Sequence, residues 1–337
     1  MYSSTWPDWS RIGRRIGKRL RDIINPPKDS GPSPEERRAQ RLRDVRRGFA
    51  YLDTFDELIA WSCNDIDPVQ RANTPLLPRS QSHVHDCRNP STKLLLCHDY
   101  NGGYHDYESV RPGLQVGEHY SCEYLQYVEI FVYFSHKLVC CPPPTWTNLM
   151  HRNGVKVLGS FIVEPQTTNV ERMLECHGGV YVVAAQLATL AQNLGFDGWL
   201  LNVEQEFPEE VDMRGKLVGF IVALKQCLGP ACLVIWYDAL TIENEVRYQN
   251  GLTAMNADFA RHADALFTNY KWTLDKLTDS RLIAGDVEVQ PSNIFFGIDV
   301  WAQNTNMPGP RRITYPADGG GGTNTGLVSF PSSLRFH

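Results

Sequence analysis

The sequence predicts an α/β fold, a (β/α)8 TIM barrel that stops soon after its eighth strand. Short apolar, β-rich runs alternate with longer mixed segments, eight such runs can be counted, and polar and aromatic residues collect where the runs end. The runs cover residues 94–97, 128–134, 155–163, 198–203, 232–237, 265–270, 294–300 and 327–330. Their near-continuous hydrophobicity suits strands covered on both faces, by helices outside and by barrel packing within. An open doubly wound sheet would show the same alternation, but no Gly-x-Gly-x-x-Gly turn follows the first run to support a nucleotide site.

The 337 residues, 42% apolar and 21% charged, can bury a large core. A net charge of -5 excludes general binding of nucleic acid, which needs a surplus of Lys and Arg. The basic residues that are present crowd the start, at Arg11, Arg14, Arg15, Lys18, Arg19 and Arg21 and again at Arg37, Arg38, Arg41, Arg43, Arg46 and Arg47. With Pro26-Pro27 and Pro32-Ser33-Pro34 as breakers, residues 1–47 are expected to form a flexible basic extension and residues 48–337 the barrel. A transit peptide, a membrane-surface helix and an unselected extension all fit that composition. Arg and Lys recur too often for a secretory signal, and no run approaches the roughly 18 apolar residues that cross a bilayer. Nine cysteines, an odd number at irregular spacing with Cys140 beside Cys141, point to reduced thiols and a cytosolic protein. His83, His85, Cys87, Cys97 and His98 fit no zinc spacing, and residues 319–322, all Gly, lack the Lys-Ser/Thr of a phosphate loop, so neither metal nor organic cofactor is expected.

Barrel chemistry sits at the C-terminal ends of the strands. The run ends read His98-Asp99, Ser135-His136, Glu164, Asn202-Val203-Glu204, Trp236-Tyr237-Asp238, Asn269-Tyr270-Lys271-Trp272 and Asp299-Val300-Trp301. Carboxylates, amides and indoles on one rim suit a carbohydrate, whose ring faces stack on aromatics and whose hydroxyls need fixed polar partners.

The fourth run is the most informative. Side chains two apart share a strand face, so Asn202 and Glu204 point one way while Trp199, Leu201 and Val203 point the other. The two polar side chains then start roughly 7 Å apart at the barrel mouth. Two carboxylates at that separation would suggest a two-carboxylate glycosidase, but an amide can neither attack the anomeric carbon nor activate water. The substrate can supply the nucleophile: its 2-acetamido oxygen attacks and forms an oxazoline, Asn202 orients that acetamide, and Glu204 acts as acid and then base. Ordinary rim hydrogen bonding is the plainer reading of an Asn-x-Glu pair taken alone.

Position sharpens it. Asp197-Gly198 ahead of the pair resembles the Asp-Gly-x-Asp-x-Asp-x-Glu strand of family 18 chitinases, with Asn202 in place of the last Asp. Further strings resemble the endo-β-N-acetylglucosaminidases of glycoside hydrolase family 85 across about residues 49–330. They include Phe49-Ala50-Tyr51-Leu52-Asp53-Thr54-Phe55-Asp56, His98-Asp99-Tyr100-Asn101-Gly102-Gly103-Tyr104, Pro142-Pro143-Pro144-Thr145-Trp146, Val234-Ile235-Trp236-Tyr237-Asp238 and Phe295-Phe296-Gly297-Ile298-Asp299-Val300-Trp301.

The resemblance implies cleavage between the two core N-acetylglucosamines of N-linked glycans, with transfer to another acceptor in some members. It assigns Asn202 to the acetamide, Glu204 to acid/base work, Tyr237 to a hydrogen bond in the reacting subsite, and Trp272 to an aromatic wall on the acceptor side. Tyr248 stands where a tryptophan is common. Trp236, Asn269, Asp299, Trp301, His98 and Glu164 complete the expected substrate-binding rim. Family members continue past the eighth strand into β-sandwich domains, whereas this sequence ends at His337. A shortened barrel that only binds glycans, and a family-18-like chitinase, are the alternative functions.

Overall fold

The computed structural model describes residues 33–79, 93–99, 102–111, 121–299 and 323–329, with Pro34, Asp299 and residues 323–329 given by their backbone alone. The chain divides into two compact units, Met1–Arg43 and Asp44–His337. Helix α1 (Pro34–Arg46) begins in the first, where the Ser33 N–H donates to the Glu36 carboxylate and the Glu36 N–H to the Ser33 hydroxyl, a reciprocal N-terminal cap.

The second unit is built on a mixed sheet in which parallel pairings dominate. Its strands are β1 (Ala50–Leu52), β2 (Leu94–Asp99), β3 (Ile130–Tyr133), β4 (Val139–Cys141), β5 (Lys156–Val163), and, after a hairpin of β6 (Cys176–His177) with β7 (Val180–Tyr181), β8 (Gly198–Val203), β9 (Leu233–Tyr237), β10 (Ala265–Phe267), β11 (Ile294–Asp299) and β12 (Thr323–Ser329). Their order is β1-β4-β5-β3-β2-β12-β11-β10-β9-β8, with β5 also paired to β8. Each of the eight runs read from the sequence contains or overlaps one of these strands. The eighth departs from the expected pattern. A (β/α)8 barrel needs every strand parallel to its neighbours, yet β12 lies antiparallel to both β11 and β2. Parallel entry requires a crossover, usually helical.

Two apolar cores lie on opposite faces of the strands. The smaller joins Leu95, Cys97, Ile130, Val132, Leu158, Leu200, Ile235, Ala265, Phe267 and Phe295, drawn from seven strands. The larger takes the alternate residues, among them Phe161, Trp199, Leu201, Val203, Val234 and Trp236, and packs them against helices. Chief among these are α4 (Val182–Leu194) and α5 (Met213–Leu228), which follow α2 (Phe55–Ala60) and α3 (Pro144–Arg152) and precede α6 (Ala257–His262) and α7 (Leu274–Asp286). Helix α4 buries Val183, Leu187, Leu190, Ala191 and Leu194, the spacing of one helical face. It ends at Gly195, whose φ of +83° is a conformation that glycine adopts without strain. Gly198, with φ +132°, opens β8 where any side chain would run into the Leu233 carbonyl. That close approach seats β8 against β9.

At the opposite end of β8 from the candidate site, Asp197 ties three elements together. Its carboxylate accepts from the Val157 N–H (2.7 Å) and from His151 Nε2 (2.8 Å), while His151 Nδ1 donates to the Thr74 carbonyl (2.7 Å). Both ring nitrogens face acceptors, so the imidazolium fits best. Burial opposes its charge, but the Asp197 and Thr74 bonds prevail and raise the His151 pKa above its ordinary 6.5. A raised folded-state pKa contributes stability that is fully present below the unfolded value and is lost as pH climbs through the folded one. The thermal midpoint is therefore expected to drop between about pH 6 and about pH 8.5, and to drop less in His151→Gln, as scanning calorimetry can measure. Equal drops in both proteins would remove His151 as the source.

Candidate active site

Strand β8 is hydrogen-bonded on both edges, with Ile162 opposite Asn202 on one side and Leu201 opposite Trp236 on the other. Leu200 belongs to the inner core, so alternation places Asn202 and Glu204 on its face. Trp199, Leu201 and Val203 anchor the other face among the helices, and the Trp199 indole N–H donates to the Leu187 carbonyl at 3.0 Å. The ladder runs one residue beyond the strand, because the Glu204 N–H donates to the Val163 carbonyl at 2.7 Å.

Asn202 is 6% exposed, and its Oδ1 has no hydrogen-bond partner among the described residues. Buried amide oxygens nearly always have one, so an acceptor left open on the inner face points to a ligand donor. Glu204 is half-buried, and its Oε1 accepts a 2.7 Å hydrogen bond from the Tyr248 hydroxyl. The β5–β8 register, continued by one residue, brings Glu164 level with Glu204. Glu164 is held by His136 Nδ1 at 2.8 Å and by the Gln166 amide.

Tyr237 follows Ile235 on the same inner face, with its hydroxyl 3.5 Å from Asn269 Oδ1. Its ring meets Phe267 edge-on at 5.1 Å and stands at 74° to the Tyr248 ring, 6.4 Å away. Burial, then the negative charge of Glu204, holds the Tyr237 pKa well above its usual value. Burial and the bond to Glu204 do the same for Tyr248, which is 44% exposed. Both stay phenols at neutral pH, and both therefore remain O–H donors beside the carboxylate.

Three expected rim residues lie elsewhere. Leu95 and Cys97 point inward, so His98 points outward, fully buried amid Phe131, Tyr133 and Trp146 with Nε2 3.4 Å from Glu108. Trp236 is turned outward by the same alternation and packs on Phe259 with ring centroids 4.8 Å apart. Trp272, expected as an aromatic wall, is 5% exposed and donates its indole N–H to the Gly297 carbonyl at 2.7 Å, with its ring edge-on to Phe296. A ring so enclosed offers a sugar no stacking face. Asp299 closes β11 and is described by its backbone alone, and Trp301 lies outside the described residues. Asp238, read only as part of a run end, is the unexpected member: fully buried, it takes N–H bonds from Gln249, Asn250 and Asn269. Among the described residues no group of three His, Cys, Asp or Glu could hold a metal, and no helix is long and apolar enough to cross a membrane.

The pattern of glycosyl hydrolase family 85 matches residues 104–328, the stretch that contains this constellation. The chain belongs to glycosyl hydrolase family 85. It is 39% identical over 225 residues to cytosolic endo-beta-N-acetylglucosaminidase 2 of Arabidopsis thaliana, covering 65% of this chain and 31% of that protein. Cytosolic endo-beta-N-acetylglucosaminidase of Mus musculus is 33% identical over 315 residues, 90% of this chain and 41% of that one. The chain thus spans about a third to two fifths of the length of these family 85 relatives. In fold it is similar to the glycoside hydrolase domain of Endo-D from Streptococcus pneumoniae, with a TM-score of 0.62 and 22% identity over 73% of this chain and 41% of that one.

Enclosure of Trp272 carries a measurable consequence. Trp272→Ala should cost on the order of 3–5 kcal/mol of stability, the usual range for emptying a core tryptophan site. A urea midpoint within error of the parent protein would return the residue to the surface.

Proposed function

We propose that the chain is a cytosolic endo-β-N-acetylglucosaminidase that cleaves the GlcNAc-β1,4-GlcNAc bond in the core of N-linked glycans, with the substrate's own acetamide as nucleophile. Family membership and the relatives' names support the reaction class and the compartment. The observation that carries the mechanism is the open, buried Oδ1 of Asn202 beside Glu204 on one strand face.

The acetamide N–H of the sugar donates to Asn202 Oδ1, which turns the acetamide carbonyl toward the anomeric carbon and lends it electron density. That oxygen forms a bond to C1 as the C1–O bond to the second sugar breaks, and Glu204 gives its proton to the departing oxygen. With Oε1 engaged by Tyr248, Oε2 is the oxygen that exchanges the proton. Glu204, now a carboxylate, removes a proton from water, whose oxygen attacks C1 from the vacated side and reopens the oxazoline. Two inversions give net retention. A sugar hydroxyl in place of that water gives transglycosylation. The Tyr237 hydroxyl steadies the reacting sugar, and Glu164 and Asn269 serve its hydroxyls. The reading includes a (β/α)8-type barrel with antiparallel β12 as eighth strand, supported by the β5–β8 pairing, and a division into a 1–47 extension and a 48–337 catalytic domain.

Mass spectrometry of an N-glycoprotein incubated with the chain tests this directly. The expected product retains one N-acetylglucosamine per cleaved site. Glu204→Gln should lower kcat by about 10²–10⁴-fold, the usual worth of a general acid. Asn202→Ala should abolish hydrolysis yet keep some use of a preformed sugar oxazoline, because only formation of that intermediate needs the amide. Binding without cleavage would make the chain a glycan-binding module, and digestion of chitin oligomers alone would make it a chitinase.

A further inference from the structure

Asp238 directly follows Tyr237 at the end of β9, and its carboxylate is a hub of N–H bonds. Oδ1 accepts from the Gln249 N–H (2.9 Å) and the Asn256 side-chain amide (3.2 Å); Oδ2 accepts from the Asn250 N–H (2.6 Å) and the Asn269 N–H (3.2 Å). None of these partners is a cation. Asn256 is itself fully buried, donating to the Gly251 carbonyl at 2.9 Å and accepting from the Thr253 N–H at 2.9 Å, so the amide that meets Oδ1 is fixed. Burial pushes the Asp238 carboxyl up to about 6 while its four donors pull it down, so at neutral pH the hub is a carboxylate.

What the hub holds distinguishes it from an ordinary turn cap. Gln249 and Asn250 immediately follow Tyr248, whose hydroxyl sits on Glu204. Asn250 adopts φ +55° and returns its side-chain amide to the Tyr248 carbonyl at 3.2 Å, closing the turn under that ring. Asn269, on the far side, accepts from Tyr237. Both phenols flanking Glu204 thus trace to one buried carboxylate.

We propose that Asp238 is the positioning residue of this site, setting the Tyr248 hydroxyl on Glu204 and Asn269 beside Tyr237. Its consequence for turnover rests on the glycosidase reading; its placement of Tyr248 does not.

Nitration by tetranitromethane, which attacks phenolates, reads that placement without any substrate. At about pH 8, below the ordinary tyrosine pKa, the raised pKa of Tyr248 should keep its nitration slow in the parent protein, as mapped by peptide mass. Asp238→Asn should speed nitration of Tyr248 several-fold, toward the rate in Glu204→Gln, while the fully buried Tyr133 stays protected. Tyr248 as slow in Asp238→Asn as in the parent protein overturns the proposal. If Tyr133 reacts as well, that variant has loosened throughout, and Asn256→Ala decides: a smaller rise confined to Tyr248 supports the hub, and no rise overturns it. In a glycan-cleavage assay, Asp238→Asn should lower kcat about tenfold and add little to Tyr248→Phe, the non-additivity expected of residues acting as a unit. Multiplying effects would overturn action through Tyr248. A parent protein that cleaves no glycan refutes the glycosidase reading and leaves the nitration result standing.

Discussion

The candidate site turns on a buried acceptor, the amide oxygen of Asn202, which finds no partner among the described residues. Leaving such a group buried costs about 1–3 kcal/mol, and any freedom in the strand would let it turn to find a partner. Strand β8 has no such freedom. Ladders to β5 and β9 fix both edges, and Trp199, Leu201 and Val203 pin its outer face among the helices. Rotating Asn202 outward would require those side chains to leave the core. The apolar alternate residues are thus what keeps the amide on the inner face, and fold stability and site geometry are set by the same strand.

Around Glu204 the phenols bear directly on the proposed proton transfers. Tyr237 and Tyr248 are both held as phenols, by burial first and by the neighbouring carboxylate second. A phenolate there would repel the Glu204 carboxylate that the second half of the proposed reaction needs, whereas a phenol donates to it. In that proposal the two oxygens of Glu204 also divide the work, Oε1 engaged by Tyr248 and Oε2 left to exchange the proton.

Much of this was legible in the sequence because a strand's period of two is a local property. It separates Asn202 and Glu204 from Trp199, Leu201 and Val203 without reference to anything distant. Applied to the other runs, the same period turns His98 and Trp236 outward, so a run end as a whole does not face the rim. Other features were not local. Whether β12 enters parallel or antiparallel depends on the path between β11 and β12, which strand composition does not encode. The three-residue strands β1 and β4 are too short to show a pattern. Trp272 becomes core only because the Gly297 carbonyl and Phe296, more than twenty positions away, enclose it. The donors to Asp238 lie 11 to 31 positions along the chain, so no window around the residue reveals them.

The contrast between Asn202 and Tyr248 explains why a buried charge is worth its desolvation here. Asn202 and Glu204 stand at the end of a fully paired strand, where the backbone alone gives sub-ångström placement. Tyr248 lies outside the named strands and helices, in a turn where backbone pairing is sparse, and 44% of its surface is open to solvent. A neutral side chain at 238 would satisfy only part of the converging N–H groups, since an amide offers one acceptor atom where a carboxylate offers two. Four donors aimed at two oxygens therefore select a carboxylate, and its burial, which costs several kcal/mol for an unpaired ion, is offset by those dipoles rather than by a countercharge. A countercharge would have been the less suitable solution: an Arg or Lys so near Glu204 would compete with Tyr248 for the same carboxylate. Dipoles hold the turn and leave the Glu204 carboxylate to Tyr248 and, in the proposed reaction, to the sugar.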